Sequence, residues 1–217
     1  MTRKLILSNL LSLVIVSVAS ADVFYDDNPT EYGVSPGSSG FYLGAGYSTT
    51  NVKDDYYEYF PTPPLSVQTD LEYDAVMLQA GYEYNPYIAF EMRYWIALSD
   101  ASYSIDSNFA IPDPLPGSYS DFDAFGFYIK PMYPVSEQFS VYALAGIAGV
   151  YVDGEPGWDL LNESDFSWGL GASFDLTPQF TLFVDYVQLF DDTLDYYYGS
   201  TQDTAVDTIN FGVSFRF

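Results

Sequence analysis

The eight residues Asn210-Phe211-Gly212-Val213-Ser214-Phe215-Arg216-Phe217 constrain the fold more than any other stretch. Phe211, Val213, Phe215 and Phe217 alternate with Asn210, Gly212, Ser214 and Arg216, so a strand built from them has one oily and one polar face. Soluble domains seldom stop on such a strand, because their termini fray. A barrel in lipid can do so, because there no sheet edge is left unpaired. The expectation is a closing strand that faces hydrocarbon on one side.

The other end is consistent with export. Arg3 and Lys4 precede an apolar run from Leu5 to Val18 and the small residues Ala19-Ser20-Ala21. A basic start, a short oily stretch and a small-x-small site read as a signal peptide over 1–21, cut before Asp22. About 14 apolar residues are too few for a spanning helix, which needs ~20. No later segment is apolar enough, so any crossing of a membrane must be made by strands.

Composition narrows the function classes. The six cations and 30 acids give a net charge of −24; losing Arg3 and Lys4 leaves four cations against 30 acids, or −26. Nucleic acid is excluded as a partner, since phosphate neutralisation needs Lys and Arg. The absence of Cys excludes a disulfide framework and thiol catalysis. With no His either, the general base on which small barrel hydrolases rely is missing, and the chain is read as not an enzyme. No cofactor or metal site is expected; the acidic stretches lack Ca²⁺-loop spacing and read as solvated. The aromatic load of 22 Tyr and 17 Phe suits a barrel with interfacial girdles.

After a polar leader over 22–39, eight alternating segments follow, at roughly 40–49, 71–85, 87–100, 122–134, 138–152, 165–176, 179–190 and 205–217. Asn85-Pro86, Pro134-Val135-Ser136-Glu137 and Thr177-Pro178 make three tight connections. The alternate links, at roughly 50–70, 101–121, 153–164 and 191–204, are long. Tight turns at one rim and long loops at the other predict an all-β fold, an eight-stranded antiparallel up-and-down transmembrane β-barrel over 40–217.

The run Asn85-Pro86-Tyr87-Ile88-Ala89-Phe90-Glu91-Met92, with Ala80-Gly81-Tyr82, Lys130, Tyr133-Pro134 and the Gly212–Phe217 ending, resembles the transmembrane domain of OmpA-like proteins across residues 40–217. Asn210, Gly212, Phe215 and terminal Phe217 are similar to the signal by which bacterial outer-membrane barrels reach the barrel assembly machinery. The resemblance implies an integral protein of a Gram-negative outer membrane, in contact with lipid and lipopolysaccharide. OmpA itself continues into a peptidoglycan-binding domain; this chain stops at Phe217, so peptidoglycan anchoring is not expected.

Turning bulky apolar side chains to lipid places Glu91, Arg93, Lys130, Asp185 and Arg216 inside, with Gln79 and Glu83. Charges at mid-membrane depth require partners. An eight-stranded interior is just wide enough for side chains to fill, so the lumen is expected to be a packed polar network. The segment 141–152 is apolar on both faces and cannot be oriented from its pattern. In the OmpA family exchangeable lumen charges act as a gate. Glu91 and Lys130 match one acid and one base of that set; the other two positions fall on Ser173 and Phe183, so half of the switch is absent.

The long links carry Asp54, Asp55, Glu58, Asp153, Glu155, Asp159, Glu163, Asp191, Asp192, Asp195 and Asp203, and the aromatics Tyr56, Tyr57, Tyr59, Phe60, Tyr196, Tyr197 and Tyr198. These aromatics are candidate contacts for an external ligand that the sequence does not identify. The function expected is structural or surface-interacting, with acidic, Tyr-rich loops outside. A narrow or gated channel for ions and very small solutes is the alternative.

Overall fold

The computed structural model describes residues 39–59, 64–108, 121–153, 159–196 and 199–217. The signal-peptide reading, the leader up to residue 38, Phe60, Tyr197 and Tyr198 lie outside them. Nine strands form one antiparallel sheet: β1 (Gly40–Glu58), β2 (Leu65–Asn85), β3 (Ile88–Ala97), β4 (Ser102–Ser107), β5 (Phe122–Pro134), β6 (Phe139–Asp153), β7 (Asp159–Asp175), β8 (Phe180–Tyr196) and β9 (Ser200–Arg216). Neighbours run β1-β9-β8-β7-β6-β5-β3-β2, and β1 pairs with β2 to close the ring. The short β4 takes the place of β3 along the upper half of β2, from Glu72 to Val67. The wall is therefore an eight-stranded up-and-down barrel.

Each tight turn is tied by the first polar side chain in it. Asn85 Oδ1 accepts the backbone N–H of Tyr87 (2.8 Å) and Ile88 (2.9 Å). Ser136 Oγ accepts that of Phe139 (3.0 Å), and Thr177 Oγ1 that of Phe180 (3.0 Å). Such side-chain turns hold the chain in a reversal while a following Pro restricts φ, as in Asn85-Pro86 and Thr177-Pro178.

The other rim differs from the expectation. Much of the sequence read as long loops continues the ladder: β1 pairs with β2 as far as Glu58↔Leu65, and β8 with β9 as far as Tyr196↔Ser200. With 19 and 21 residues, β1 and β2 are about twice the ~9–11 residues that cross a bilayer.

The chemistry of the two faces exchanges part-way up. On β1, Phe41, Ala45 and Tyr47 point out and Tyr42, Ser48 and Thr50 in; further along, Lys53 and Asp55 point out and Val52 in. On β2, Leu78 is exposed and Gln79 buried, and then Asp74, Glu72 and Asp70 are exposed over buried Ala75, Tyr73 and Leu71. On β9, exposed Val213, Phe211 and Ile209 give way to exposed Asp203, with Val206 inside. On these three strands the pleat keeps its phase, so the lower barrel is oily outside and polar inside, while above it the outer face turns polar and the inner face mostly apolar, with Asp54, Thr69 and Thr204 also buried.

Where the oily band ends, tyrosines meet carboxylates: the Tyr47 hydroxyl donates to Asp74, and those of Tyr94 and Tyr151 lie 3.5 Å from Asp123 and Asp153. An aromatic with a wet polar tip suits a lipid–water boundary.

The lumen is consequently two-tiered, which corrects the expectation of one polar network. Above the charged tier, Val52, Leu71, Tyr73, Phe122, Val150, Val152, Leu161, Leu189, Phe190 and Val206 pack as a hydrophobic core. The segment that pattern could not orient is settled by it: Tyr142, Leu144, Ala148, Val150 and Val152 of β6 face inward. Replacing a buried aromatic by Ala removes transfer energy and leaves a cavity. Phe190→Ala is expected to lower the stability of the refolded barrel by about 3–5 kcal/mol, measured by urea unfolding in lipid vesicles. Loss of much less would mean that the upper barrel adds little to the fold.

Candidate functional site: charges across the lumen

Residues two apart on a strand share a face, so Glu91, Arg93 and Trp95 of β3 all enter the lumen. Asp185 enters from β8, four strands away from β3 in either direction around the ring. Arg93 spans the barrel to meet it: both terminal guanidinium nitrogens bond the two Asp185 oxygens at 2.8 Å. Its Nε donates to Glu91 Oε1. The other Glu91 oxygen takes Lys130 Nζ at 2.9 Å and the Tyr42 hydroxyl. Lys130 reaches it diagonally from β5, being paired with Ala89 on the neighbouring strand.

Neutral groups complete the cluster. Tyr142 OH donates to Asp185 Oδ2 at 2.6 Å, and Asn210 Nδ2 to Asp185 Oδ1 at 2.7 Å. Asn210 Oδ1 in turn accepts from Ser48 (2.6 Å) and Trp95 Nε1 (2.8 Å). The Lys130 ammonium stands 4.1 Å from the Tyr142 ring centre. Two acids and two bases, all buried, cancel. Such a cluster is tolerable only because almost every lone pair and proton is used. Room for the tyrosines comes from glycine: a Cβ on Gly81 would collide with the Tyr42 ring, on Gly126 with Tyr128, and on Gly171 with Tyr142.

Ser173 and Phe183 face each other across β7 and β8. Arg93 and Asp185 lie two residues beyond Glu91 and Phe183 on the same inward face, and form a second ion pair there. Arg216 stands apart from this group, in an ion pair with Glu83 near the C-terminal end of β2 (Nη2–Oε1 2.6 Å). Sequence reasoning did not single out Tyr142, Trp95 or Ser48 as members of the cluster. Tyr142 was out of reach because its strand is oily on both faces.

The residues of the terminal pattern have separate structural settings. Asn210 is the buried hub just described. Gly212 lies against Gly46, and a Cβ on it would meet the Ala45 carbonyl oxygen at 2.4 Å and the Phe183 ring at 2.6 Å. Phe215 sits between the rings of Phe180 (5.1 Å) and Phe217 (5.2 Å). Phe217 is exposed, and its N–H bonds the Phe41 carbonyl at 3.0 Å. Of the aromatic candidates, Tyr56 and Tyr57 belong to β1 and are half-buried, Tyr59 is exposed just beyond it, and the backbone of Tyr196 ends β8. The Tyr57 and Tyr59 rings meet edge to face at 4.8 Å.

Removing one member of a buried pair leaves an uncompensated charge, at about 3–5 kcal/mol. Asp185→Leu is therefore expected to destabilise the barrel by that order, and Asp185→Leu with Arg93→Met to recover part of the loss. Additive losses in urea unfolding would show that the two side chains are not coupled.

Residues 9–217 match the family of the outer membrane protein beta-barrel domain. Among solved structures, the chain is similar to the outer membrane protein OprG from Pseudomonas aeruginosa (12% identity, TM-score 0.57, 83% of this chain and 97% of that one). It is also similar to Neisserial surface protein A (16%, 0.49, 83% and 99%) and to Ail, the attachment invasion locus protein of Yersinia pestis (16%, 0.45, 80% and 98%). No curated protein matches the sequence. The chain belongs to the outer-membrane β-barrel family and is an integral protein of a Gram-negative outer membrane.

Proposed function

We propose that the protein acts in the outer membrane as a structural and surface-interacting barrel, without enzymatic activity, and not as a channel. The observation that carries this reading is the occupied lumen: a bolted charge cluster below and a largely apolar core above fill it with buried side chains. A narrow conducting path would have to displace both tiers. Meanwhile the upper half of the wall presents outward acids on β1 and β2, among them Asp55, Asp70, Glu72 and Asp74, with Lys53 beside them. That exposed wall, rather than loop tips alone, is one part of the surface offered to the exterior, and the exposed acids of upper β7 and β8 are another. Chemistry of the hydrolase kind lacks a His or Cys to run it. The oily band and its girdles meet outer-membrane lipid and lipopolysaccharide, and the Phe217-terminated strand is the segment read by the assembly machinery.

Refolded protein in planar bilayers should show no steady conductance, and Lys130→Ala should add little, because Arg93, Asp185 and the upper core remain. A stable open channel in wild type, or a large gain in Lys130→Ala, would favour the narrow-channel alternative. Deleting Phe217 should sharply lower the yield of heat-modifiable barrel in the outer membrane while export continues. Unchanged yield would remove the terminal Phe from the assembly reading.

A further inference from the structure

β7 and β8 are paired only from Asp175↔Thr181 to Trp168↔Gln188. Beyond that point β7 continues to Asp159 paired with β6, and β8 continues to Tyr196 paired with β9, but not with each other. Local sequence ends the shared ladder. The Ser167 hydroxyl donates to the Gln188 carbonyl oxygen at 2.5 Å, and an irregularity between Gln188 and Phe190 turns both Leu189 and Phe190 into the core. The consequence for β7 is unusual: Asn162, Glu163, Ser164, Asp165 and Phe166 are all exposed, on both faces of the strand, and only Leu161 turns back to the core. Opposite them, Asp191, Asp192 and Thr193 of β8 are exposed as well.

Among the described residues, the edges of β7 at 163–166 and of β8 at 191–193 thus have no strand paired between them, near and above the end of the oily band. An unpaired edge is a template for another strand, and proteins commonly shield it with Lys, Pro or a covering segment. Neither β7 nor β8 contains Lys, Arg or Pro. Four exposed carboxylates, Glu163, Asp165, Asp191 and Asp192, border the cleft instead. They disfavour a second copy of this acidic chain and complement a basic one.

We infer that the edges of β7 (163–166) and β8 (191–193) form a docking groove for an extended cationic peptide segment, added as a strand with Lys or Arg side chains toward these four carboxylates. Backbone bonds to the edge supply affinity and the charges supply selection. The inference rests on the surface-interaction reading above and names the chemistry of its partner.

The probe is a fluorescein-labelled octapeptide of alternating Lys and Thr, titrated onto the refolded mature chain in phosphatidylcholine nanodiscs. The same peptide N-methylated at every second residue keeps its charge but cannot pair along one edge. Binding is expected to weaken about tenfold or more on N-methylation. It should weaken similarly in Glu163→Gln/Asp165→Asn/Asp191→Asn/Asp192→Asn, and stay within about twofold in Asp55→Asn/Asp70→Asn/Glu72→Gln/Asp106→Asn, which removes equal charge from the β1–β2–β4 wall. Equal binding of the methylated peptide, equal loss in the two variants, or no binding at about 1 mM peptide would each overturn the groove. A barrel that conducts yet passes these tests would retain the groove and lose the surface-only reading; a closed barrel that fails them would lose the groove alone.

Discussion

The pleat of a strand allows two faces and no more, and the rest of this structure follows from how those faces are used. In the lower barrel the outward face meets hydrocarbon, so the charges of β3, β5 and β8 have only the lumen to occupy. In the upper barrel the outward face meets water, so the same alternation drives Val52, Leu71, Val150 and Val206 inward. A strand cannot turn its side chains round without a bulge, so β1, β2 and β9 exchange residue chemistry while keeping phase, and β8 takes an irregularity between Gln188 and Phe190. Two closed tiers result.

Within the lower tier Arg93 has the decisive geometry. A guanidinium offers a planar fork that can hold one carboxylate bidentately while its Nε serves another, which an ammonium cannot do. Arg93 therefore ties opposite walls through Asp185 and its own strand through Glu91, leaving Lys130 to balance the remaining charge. The partners of these groups come from β1, β6 and β9 as well, through Tyr42, Tyr142 and Asn210. An exchange of charge partners would have to be accommodated by all of these strands together.

Much of this was legible in the sequence, and the parts that were not have physical causes. The eight membrane segments, the three tight turns and the inward placement of Glu91, Arg93, Lys130 and Asp185 follow from strict alternation with bulky side chains outside. Residues 50–58 and 65–70 carry no strand signal of the membrane kind, because there the outer face carries Lys53, Asp55 and Asp70. The inner residue Val52 alone is too sparse a signal. β6 is oily on both faces because it passes from lipid on one side to the upper core on the other, so Tyr142 could not be assigned. Asn210 was grouped with the terminal pattern, and its neighbours Ser48, Trp95 and Asp185 are far away in sequence. Only closure of the ring brings them together.

The exchange of faces at a fixed boundary is tested most directly by spin labels placed one at a time along the outward face of β2, at Leu78, Val76, Asp74, Glu72 and Asp70, in the refolded barrel in lipid. Power-saturation accessibility to oxygen, which partitions into hydrocarbon, is compared with that to a water-soluble nickel chelate. The structure predicts oxygen dominance at Leu78, a crossover between Val76 and Asp74, and nickel dominance at Glu72 and Asp70. Oxygen dominance persisting to Asp70, or nickel dominance already at Leu78, would contradict it.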